Sequence, residues 1–163
     1  MYTISVVFKC HAGKREAFVE RVRSEGILDA GQVAVPEITY DTGIHDKIDD
    51  LKCTGATLVY RDKIALRYYF EGSLEGYTFS ATGAAGTPVV NAAGGYVEIA
   101  DILPQDLDVE VKLEVTDAQG NLLQVAYSPM NYIVRMSKRG SVATQLLVKA
   151  LYNYHLAAKA LAG

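Results

Sequence analysis

The stretch DVEVKLEV, Asp108 to Val115, decides the fold of this chain, because apolar and charged residues alternate along it. The apolar residues, which we expect to share a buried face, are Val109, Val111, Leu113 and Val115. The charged residues, which we expect to face water, are Glu110, Lys112 and Glu114. A period of two residues is that of a β-strand with one buried and one solvated face. The stretch therefore predicts an antiparallel sheet.

Further short apolar or alternating runs lie on both sides of this stretch, separated by Gly, Pro, Asp and Asn. They are TLVYRD, KIALRYYFEG, GYTFSAT, GYVEIAD and NLLQVAYS, between residues 57 and 128. Repeated short strands, with a Gly-Asn turn before the last of them, are typical of antiparallel sandwiches. The glycine-rich stretch Gly83 to Gly95 is predicted to be a flexible hairpin or loop. We predict a mainly β fold, α+β overall, built on an antiparallel β-sandwich.

The pattern becomes helical after Pro129. Ser128 is predicted to cap a short helix through Met136, and Gly140 with Ser141 to separate it from a longer helix that ends near Ala162. Apolar residues recur along the longer helix at three- and four-residue spacing: Ala143, Leu147, Ala150, Leu151, Tyr154, Ala158 and Leu161. Such a stripe predicts a C-terminal docking helix.

Three segments follow from these patterns. Residues 1–30 are predicted to be an N-terminal β-α element, because the β-branched and aromatic run YTISVVFK precedes an amphipathic helical stretch. Residues 31–53 are predicted to be a connector with one short strand near Glu37 to Tyr40. Residues 54–163 are predicted to be the β-sandwich module with its C-terminal helices.

The first segment, MYTISVVFKCHAGKREAFVERVRSEGILDA, resembles the opening strand and helix of the antibiotic biosynthesis monooxygenase-like family. The stretch FKCHAGKREAF is the most specific part of this resemblance. It implies a dimeric ferredoxin-like barrel around a small pocket. No second helix and strand pair of the expected kind follows, so no pocket residue of that family is assigned to this chain.

Residues 54–162 resemble a β-rich module with a C-terminal helix from secreted or surface proteins of Gram-positive gut bacteria. The stretches that carry this resemblance are GATLVYRDKIALRYYFEG, LPQDLDVEVKLEVTDAQGNLLQVAYSPMNYIVRM and LLVKALYNYHLAAKA. The resemblance implies an extracellular setting and no particular activity.

Charge and hydropathy argue against two classes of partner. The net charge of −3 leaves no basic excess for a phosphate backbone, so nucleic acid is not expected. No apolar stretch approaches the about 20 residues that cross a bilayer. The expected location is extracellular or at the cell surface if the chain is a fragment of a larger protein, and cytoplasmic if Met1 is the natural start. Cys10 and Cys53 are expected to be partly buried thiols.

No residue is predicted to be catalytic. His155 is predicted to lie at the margin of the apolar stripe, with no cysteine or carboxylate within a helical turn to orient its ring. A packing or hydrogen-bonding role is therefore favoured over a catalytic one, and His155 is a candidate ligand-binding residue together with Tyr68 and Tyr69. Replacement of His155 by Ala is expected to cost about 1 kcal/mol or less, as at most boundary sites.

Two other groups are candidates for binding. The acids of DTGIHDKIDD, which are Asp41, Asp46, Asp49 and Asp50, could supply oxygen ligands for a hard cation, although a solvated acidic loop is the favoured interpretation. Tyr68 and Tyr69 are adjacent on one predicted strand, so one should face the core and the other the surface. An exposed tyrosine could bind a sugar or a partner, and core packing is the favoured alternative.

The leading functional hypothesis is a non-catalytic β-sandwich module for adhesion, spacing or partner recognition, with an unknown protein or glycan partner and no cofactor. One alternative is a dimeric enzyme that either binds a small molecule or is a cofactor-independent, monooxygenase-like enzyme. Another is a carbohydrate-binding module. Pairing of the N-terminal strands of two copies is one way in which the chain could form a homodimer.

Overall fold

The structure is a computed structural model, and it describes residues 47–163. The N-terminal β-α element and the short strand predicted near Glu37 to Tyr40 lie outside these residues. The strands are β1 (Lys47–Ile48), β2 (Leu51–Tyr60), β3 (Ile64–Glu71), β4 (Thr78–Thr82), β5 (Val89–Asn91), β6 (Tyr96–Ile99), β7 (Val111–Thr116) and β8 (Leu122–Tyr127). The helices are a 3-10 turn (Pro104–Asp106), α1 (Pro129–Arg139) and α2 (Val142–Ala162). The prediction of an α+β chain with mostly antiparallel strands is confirmed.

The strands form two sheets within one compact unit, which comprises residues 47–103 and 107–132 of the described chain. The five-stranded sheet has the order β1-β2-β3-β6-β5, and the three-stranded sheet has the order β4-β7-β8. Every paired neighbour is antiparallel. Strand β4 follows β3 in the chain but pairs with β7, so the chain passes from one sheet to the other and back. Neither sheet is closed.

The alternation in Asp108 to Val115 appears in the structure as predicted from Val111 onward. The buried residues Val111, Leu113 and Val115 pair with Tyr127, Val125 and Leu123 on β8. Val109 is an exception, because it precedes β7 and is 40% exposed. The position of β8 that would face it is occupied by Pro129, the first residue of α1. The ladder therefore begins at Val111.

Tyr68 links the two sheets. It is fully buried on the inner face of β3, between Leu66 and Phe70. Its hydroxyl donates a hydrogen bond of 2.5 Å to the carbonyl oxygen of Val111 on β7. Burial of side chains of this size stabilises the fold by about 1.5 to 3 kcal/mol each. The inner residues of both sheets thus form the core of this unit.

The β-rich part extends further toward the N-terminus than predicted. The predicted connector, residues 31–53, contains β1 and the first residues of β2, of which Leu51 and Cys53 are buried. A two-residue turn joins β1 to β2, and its first residue, Asp49, has a φ of 49°. Aspartate tolerates this left-handed conformation better than most residues. The stretch Gly83 to Gly95, predicted to be a flexible hairpin or loop, contains the short strand β5, which pairs with β6 beyond Gly95.

The two predicted helices form between the predicted caps. Ser128 Oγ accepts a hydrogen bond from the Asn131 amide, and Ser141 Oγ accepts one from the Thr144 amide, each at 3.2 Å. Both serines thus satisfy amides that have no partner within the helix. Helix α1 continues beyond Met136 to Arg139, one residue before Gly140. Helix α2 ends at Ala162, as predicted.

Helix α2 belongs to a second compact unit, whose described residues are 104–106 and 133–163. Its buried residues are Val148, Leu151, Asn153, Tyr154, His155 and Ala157. The predicted stripe is therefore correct at Leu151 and Tyr154, but Ala143 is exposed and the middle of the helix is buried on more than one side. Neither described helix is long and apolar enough to cross a membrane. The docking role of α2 stays a prediction.

Candidate functional site

The outer face of the five-stranded sheet carries two rows of residues that cross four strands. The first row consists of Gly55 on β2, Tyr69 on β3, Tyr96 on β6 and Asn91 on β5. The second row consists of Thr57, Arg67, Glu98 and Val89 on the same four strands. We call these eight residues the tyrosine face. On β2, β3 and β6 they alternate with buried residues such as Ala56, Tyr68 and Val97, so the pleat turns them away from the core, whereas all of β5 is exposed.

Arg67 occupies the centre of the tyrosine face. Its Nε atom lies 2.6 Å from Oε2 of Glu98, and its guanidinium carbon lies 4.3 Å from the centre of the Tyr96 ring. The hydrogen bond with Glu98, and a further one with Tyr69, raise the pKa of Arg67. The two charged side chains are only 20% and 29% exposed, so solvent screens their attraction less than at an open surface. The ion pair with Glu98 and the ring of Tyr96 together hold the guanidinium of Arg67 in one position.

Tyr96 is held from two further directions. Its ring is tilted against that of Tyr69, with centres 5.6 Å apart and an angle of 56° between the ring planes. Its hydroxyl accepts a hydrogen bond of 2.9 Å from the side-chain amide of Asn91. Asn91 is itself fixed, because its Oδ1 accepts a hydrogen bond of 2.8 Å from the Gly94 amide in the β5-β6 turn. The tyrosine face is therefore ordered through linked contacts from β5 to β3.

The structure separates the two adjacent tyrosines as predicted. Tyr68 lies in the core, where its hydroxyl is engaged by Val111, so it is a packing residue and is closed to a ligand. Burial raises the pKa of Tyr68, which keeps the hydroxyl protonated. Tyr69 is half-buried on the tyrosine face. Of this pair, only Tyr69 is placed where it could contact a partner.

His155 is not at the margin of the helix, as predicted, but buried, with 3% of its surface exposed. Its Nδ1 lies 2.8 Å from the carbonyl oxygen of Pro104, in the 3-10 turn of the same unit. The spacing of apolar residues along α2 could not reveal this, because the turn comes from a distant part of the chain. The hydrogen-bonding role fits this position, and removal of the side chain should cost more than at a boundary site.

Two of the four predicted metal ligands, Asp41 and Asp46, lie outside the described residues. Asp49 and Asp50 form the exposed turn between β1 and β2. Within residues 47–163 no group of three His, Cys, Asp or Glu side chains could hold a metal ion. Cys53 is fully buried, with Sγ 3.8 Å from the carbonyl oxygen of Gly55, and so is more deeply placed than predicted. Cys10 lies outside the described part of the chain.

Of the eight residues of the tyrosine face, only Tyr69 was predicted from the sequence as a site residue. The four that make contacts with it or with one another, Arg67, Asn91, Tyr96 and Glu98, were not. The alternation in LRYYF and YVEI does show that Arg67, Tyr96 and Glu98 point away from the core. It does not show that β3 and β6 are neighbours, because β4 and β5 intervene in the chain. The register of that pairing is what brings these side chains together.

No match to this chain is found among protein-family models, curated proteins or solved structures. The resemblances to the monooxygenase-like family and to the surface modules of Gram-positive bacteria therefore stay predictions. Function has to be inferred from the geometry of the site.

Proposed function

We propose that this chain is a non-catalytic recognition module of a larger surface protein, and that it binds its partner through the tyrosine face. The observation that carries the proposal is the ordered cluster of Arg67, Tyr69 and Tyr96 on a partly exposed sheet face. Tyrosine and arginine are the residues that most often dominate binding energy at interfaces. Side chains that are already held in place lose little conformational entropy when a partner binds.

The fold that we propose for this module is a β-sandwich. Two observations support it: the inner residues of both sheets are buried, and Tyr68 of one sheet donates a hydrogen bond to Val111 of the other. A sandwich buries one face of each sheet and leaves the other face outward. The tyrosine face would then be available to a partner without any rearrangement of the core.

A recognition role fits the chemistry of the face better than catalysis does. The carboxylate of Glu98 accepts a hydrogen bond from Arg67, and the hydroxyl of Tyr96 accepts one from Asn91. These contacts hold the side chains in one arrangement before a partner binds, as a recognition surface requires. The alternative of a monooxygenase-like enzyme depends on residues 1–30, which lie outside the described residues, and it stays a prediction. The extracellular or cell-surface location is part of the proposal.

The proposal is tested by binding of the purified, labelled chain to surfaces coated with peptidoglycan, with a mucin or with a matrix glycoprotein. We expect retention on at least one surface. Tyr69→Ala and Tyr96→Ala should each weaken it by about tenfold or more, the loss of free energy typical of a central aromatic contact. The matched control is Gln124→Ala, which changes an exposed side chain on the outer face of the three-stranded sheet.

Retention that survives both tyrosine substitutions would contradict the proposal, as would the absence of retention on all three surfaces. Circular dichroism melts of each variant show whether a loss of binding reflects loss of fold. Equal melting temperatures for Tyr69→Ala and Gln124→Ala, with binding lost only in the first, would assign the effect to the face itself.

A further inference from the structure

We infer that strand β5 is a dimerisation edge, at which a second copy of this chain adds its own β5 in antiparallel orientation. β5, Val89–Asn91, is the last strand of the five-stranded sheet, and no other described strand pairs with its outer edge. An edge strand presents unpaired backbone N–H and C=O groups, which can pair with a strand of another chain. The second copy continues the sheet beyond β5.

β5 differs from the other described strands because all three of its residues are exposed. Val89 is 62% exposed and Val90 is 42% exposed. Val90 occupies an inner-face position, since it pairs with the fully buried Val97 on β6. The covered part of the inner face therefore ends at β6, and two apolar side chains are left open at the edge. By contrast, the exposed residues of β4, an edge strand of the other sheet, are polar: Thr78, Ser80 and Thr82.

The charge pattern indicates that the strand that covers this edge belongs to a second copy. No residue from Gly76 to Val97 carries a charge, whereas soluble proteins commonly protect their edge strands with Lys or other charged residues. In a twofold pairing centred on Val90, this residue lies opposite itself, and Val89 lies opposite Asn91 of the second copy. Like charges directly opposite each other destabilise a strand pair. β5 has no such charge, and it has a β-branched residue at the position that faces itself.

The contact is short. Pro88 precedes the strand and has no N–H to donate, so it cannot extend the ladder fully. After Asn91 the chain turns, and the Gly94 amide donates a hydrogen bond of 2.8 Å to the side chain of Asn91. Three paired residues from each copy are far fewer than the about 20 to 30 residues per side of stable interfaces. We therefore expect a weak dimer, with a dissociation constant above about 1 μM.

Pairing through β5 joins the tyrosine faces of the two copies. Val89 and Asn91 belong to the tyrosine face, and in the dimer each lies beside the other residue of the second copy on the same side of the sheet. The two β6 strands, which carry Tyr96, are then three strand spacings apart, about 14 Å. This consequence rests on the proposed function, because two linked sites bind a repetitive partner more tightly than one site does.

The experiment measures the mass of the full chain by sedimentation velocity at concentrations from about 1 μM to about 1 mM. We expect the dimer to form as the concentration rises. Val90→Lys should raise the dissociation constant by about tenfold or more, because two lysines then lie opposite each other. The control is Leu122→Lys, which places a lysine at an exposed apolar residue of β8, an edge strand of the other sheet, and should leave the dissociation constant unchanged.

An exchange of charges tests the twofold geometry. Val90→Glu alone should dimerise as poorly as Val90→Lys, whereas an equimolar mixture of the two variants should form a mixed dimer, because opposite charges then face each other. Circular dichroism melts show that each variant is folded. The inference is overturned if the wild type stays monomeric up to about 1 mM, if Val90→Lys dimerises as the wild type does, or if the mixture does not associate.

Retention on the coated surfaces separates this inference from the proposed function. Val90→Lys should be retained less than the wild type, because a monomer presents one tyrosine face rather than two. If a monomeric Val90→Lys is retained as strongly as the wild type, the joined face plays no part in binding and that consequence is wrong. If Tyr69→Ala has no effect on any surface while the wild type dimerises through β5, the proposed function fails and the dimer stands.

Discussion

At the scale of single residues, Tyr68 and Tyr69 show how one step along a strand separates two roles. The side chains of consecutive strand residues point to opposite faces. Tyr68 is fully buried and donates its hydroxyl hydrogen to Val111 of the other sheet. Tyr69 lies beside Tyr96 on the tyrosine face. The first tyrosine therefore contributes to stability, and the second is free to contribute to binding.

We predict that Tyr68→Phe lowers the free energy of unfolding by about 0.5 to 1.5 kcal/mol, the net value of one buried hydrogen bond. Urea denaturation followed by circular dichroism measures it. Tyr69→Phe is the comparison, and its effect should be smaller, because the hydrogen bond that it removes, with Arg67, lies on a partly exposed face. Equal effects of the two changes would show that the Tyr68 hydrogen bond adds no more than that one.

We predict that Tyr68→Phe also changes how the free energy of unfolding depends on pH under alkaline conditions. Burial raises the pKa of Tyr68, so the folded chain holds this proton at pH values where the unfolded chain has lost it. The unfolded state then binds fewer protons, and stability falls as the pH rises above about 10. The Phe variant lacks this contribution, so its stability should decline less steeply over that range.

At the scale of elements, helix α2 differs from an amphipathic surface helix. Its middle turns are buried on more than one side, and one of its residues, His155, contacts the 3-10 turn at Pro104. Leu151 is 1% exposed, whereas Leu156 on the same helix is 37% exposed. The two leucines have the same helix propensity and differ in burial, so they form a matched pair.

We predict that Leu151→Ala lowers the free energy of unfolding by about 2 to 5 kcal/mol, the range for emptying a buried leucine site. Leu156→Ala should change it by about 0.5 kcal/mol or less. Thermal melts and urea titrations of both variants measure the difference. Indistinguishable midpoints would mean that α2 does not contribute to the cooperative core.

At the scale of the whole molecule, each compact unit is built from more than one segment of the described chain. The loop between β6 and β7 contributes residues 104–106 to the smaller unit, which otherwise consists of residues 133–163 of the described chain. Helix α1 starts in the larger unit and continues into the smaller one. Neither unit is therefore a single continuous segment of the described chain, and the boundary predicted near residue 53 stays a prediction.

We predict that a fragment of residues 31–163 folds cooperatively, whereas residues 1–30 alone do not, since pieces below about 40 residues rarely bury enough surface to fold. Amide dispersion in ¹H-¹⁵N spectra of both pieces measures this. Poorly dispersed amide signals for residues 31–163 would mean that this fragment needs the first thirty residues in order to fold. It would also strengthen the enzyme alternative over the module.

The sequence alone determined the strands after residue 57, apart from the short β5, and both helices with their serine caps. These features depend on contacts between residues a few positions apart, which leave a period or a cap in the sequence. Only the tertiary structure decided that β4 pairs with β7 and that Val109 lies outside the paired part of β7. It also decided that His155 is buried, and that Arg67, Tyr96 and Asn91 meet on one face. Strand partners and register depend on the burial of many residues that are distant from one another in the chain. They therefore cannot be predicted from the pattern within any single stretch of sequence.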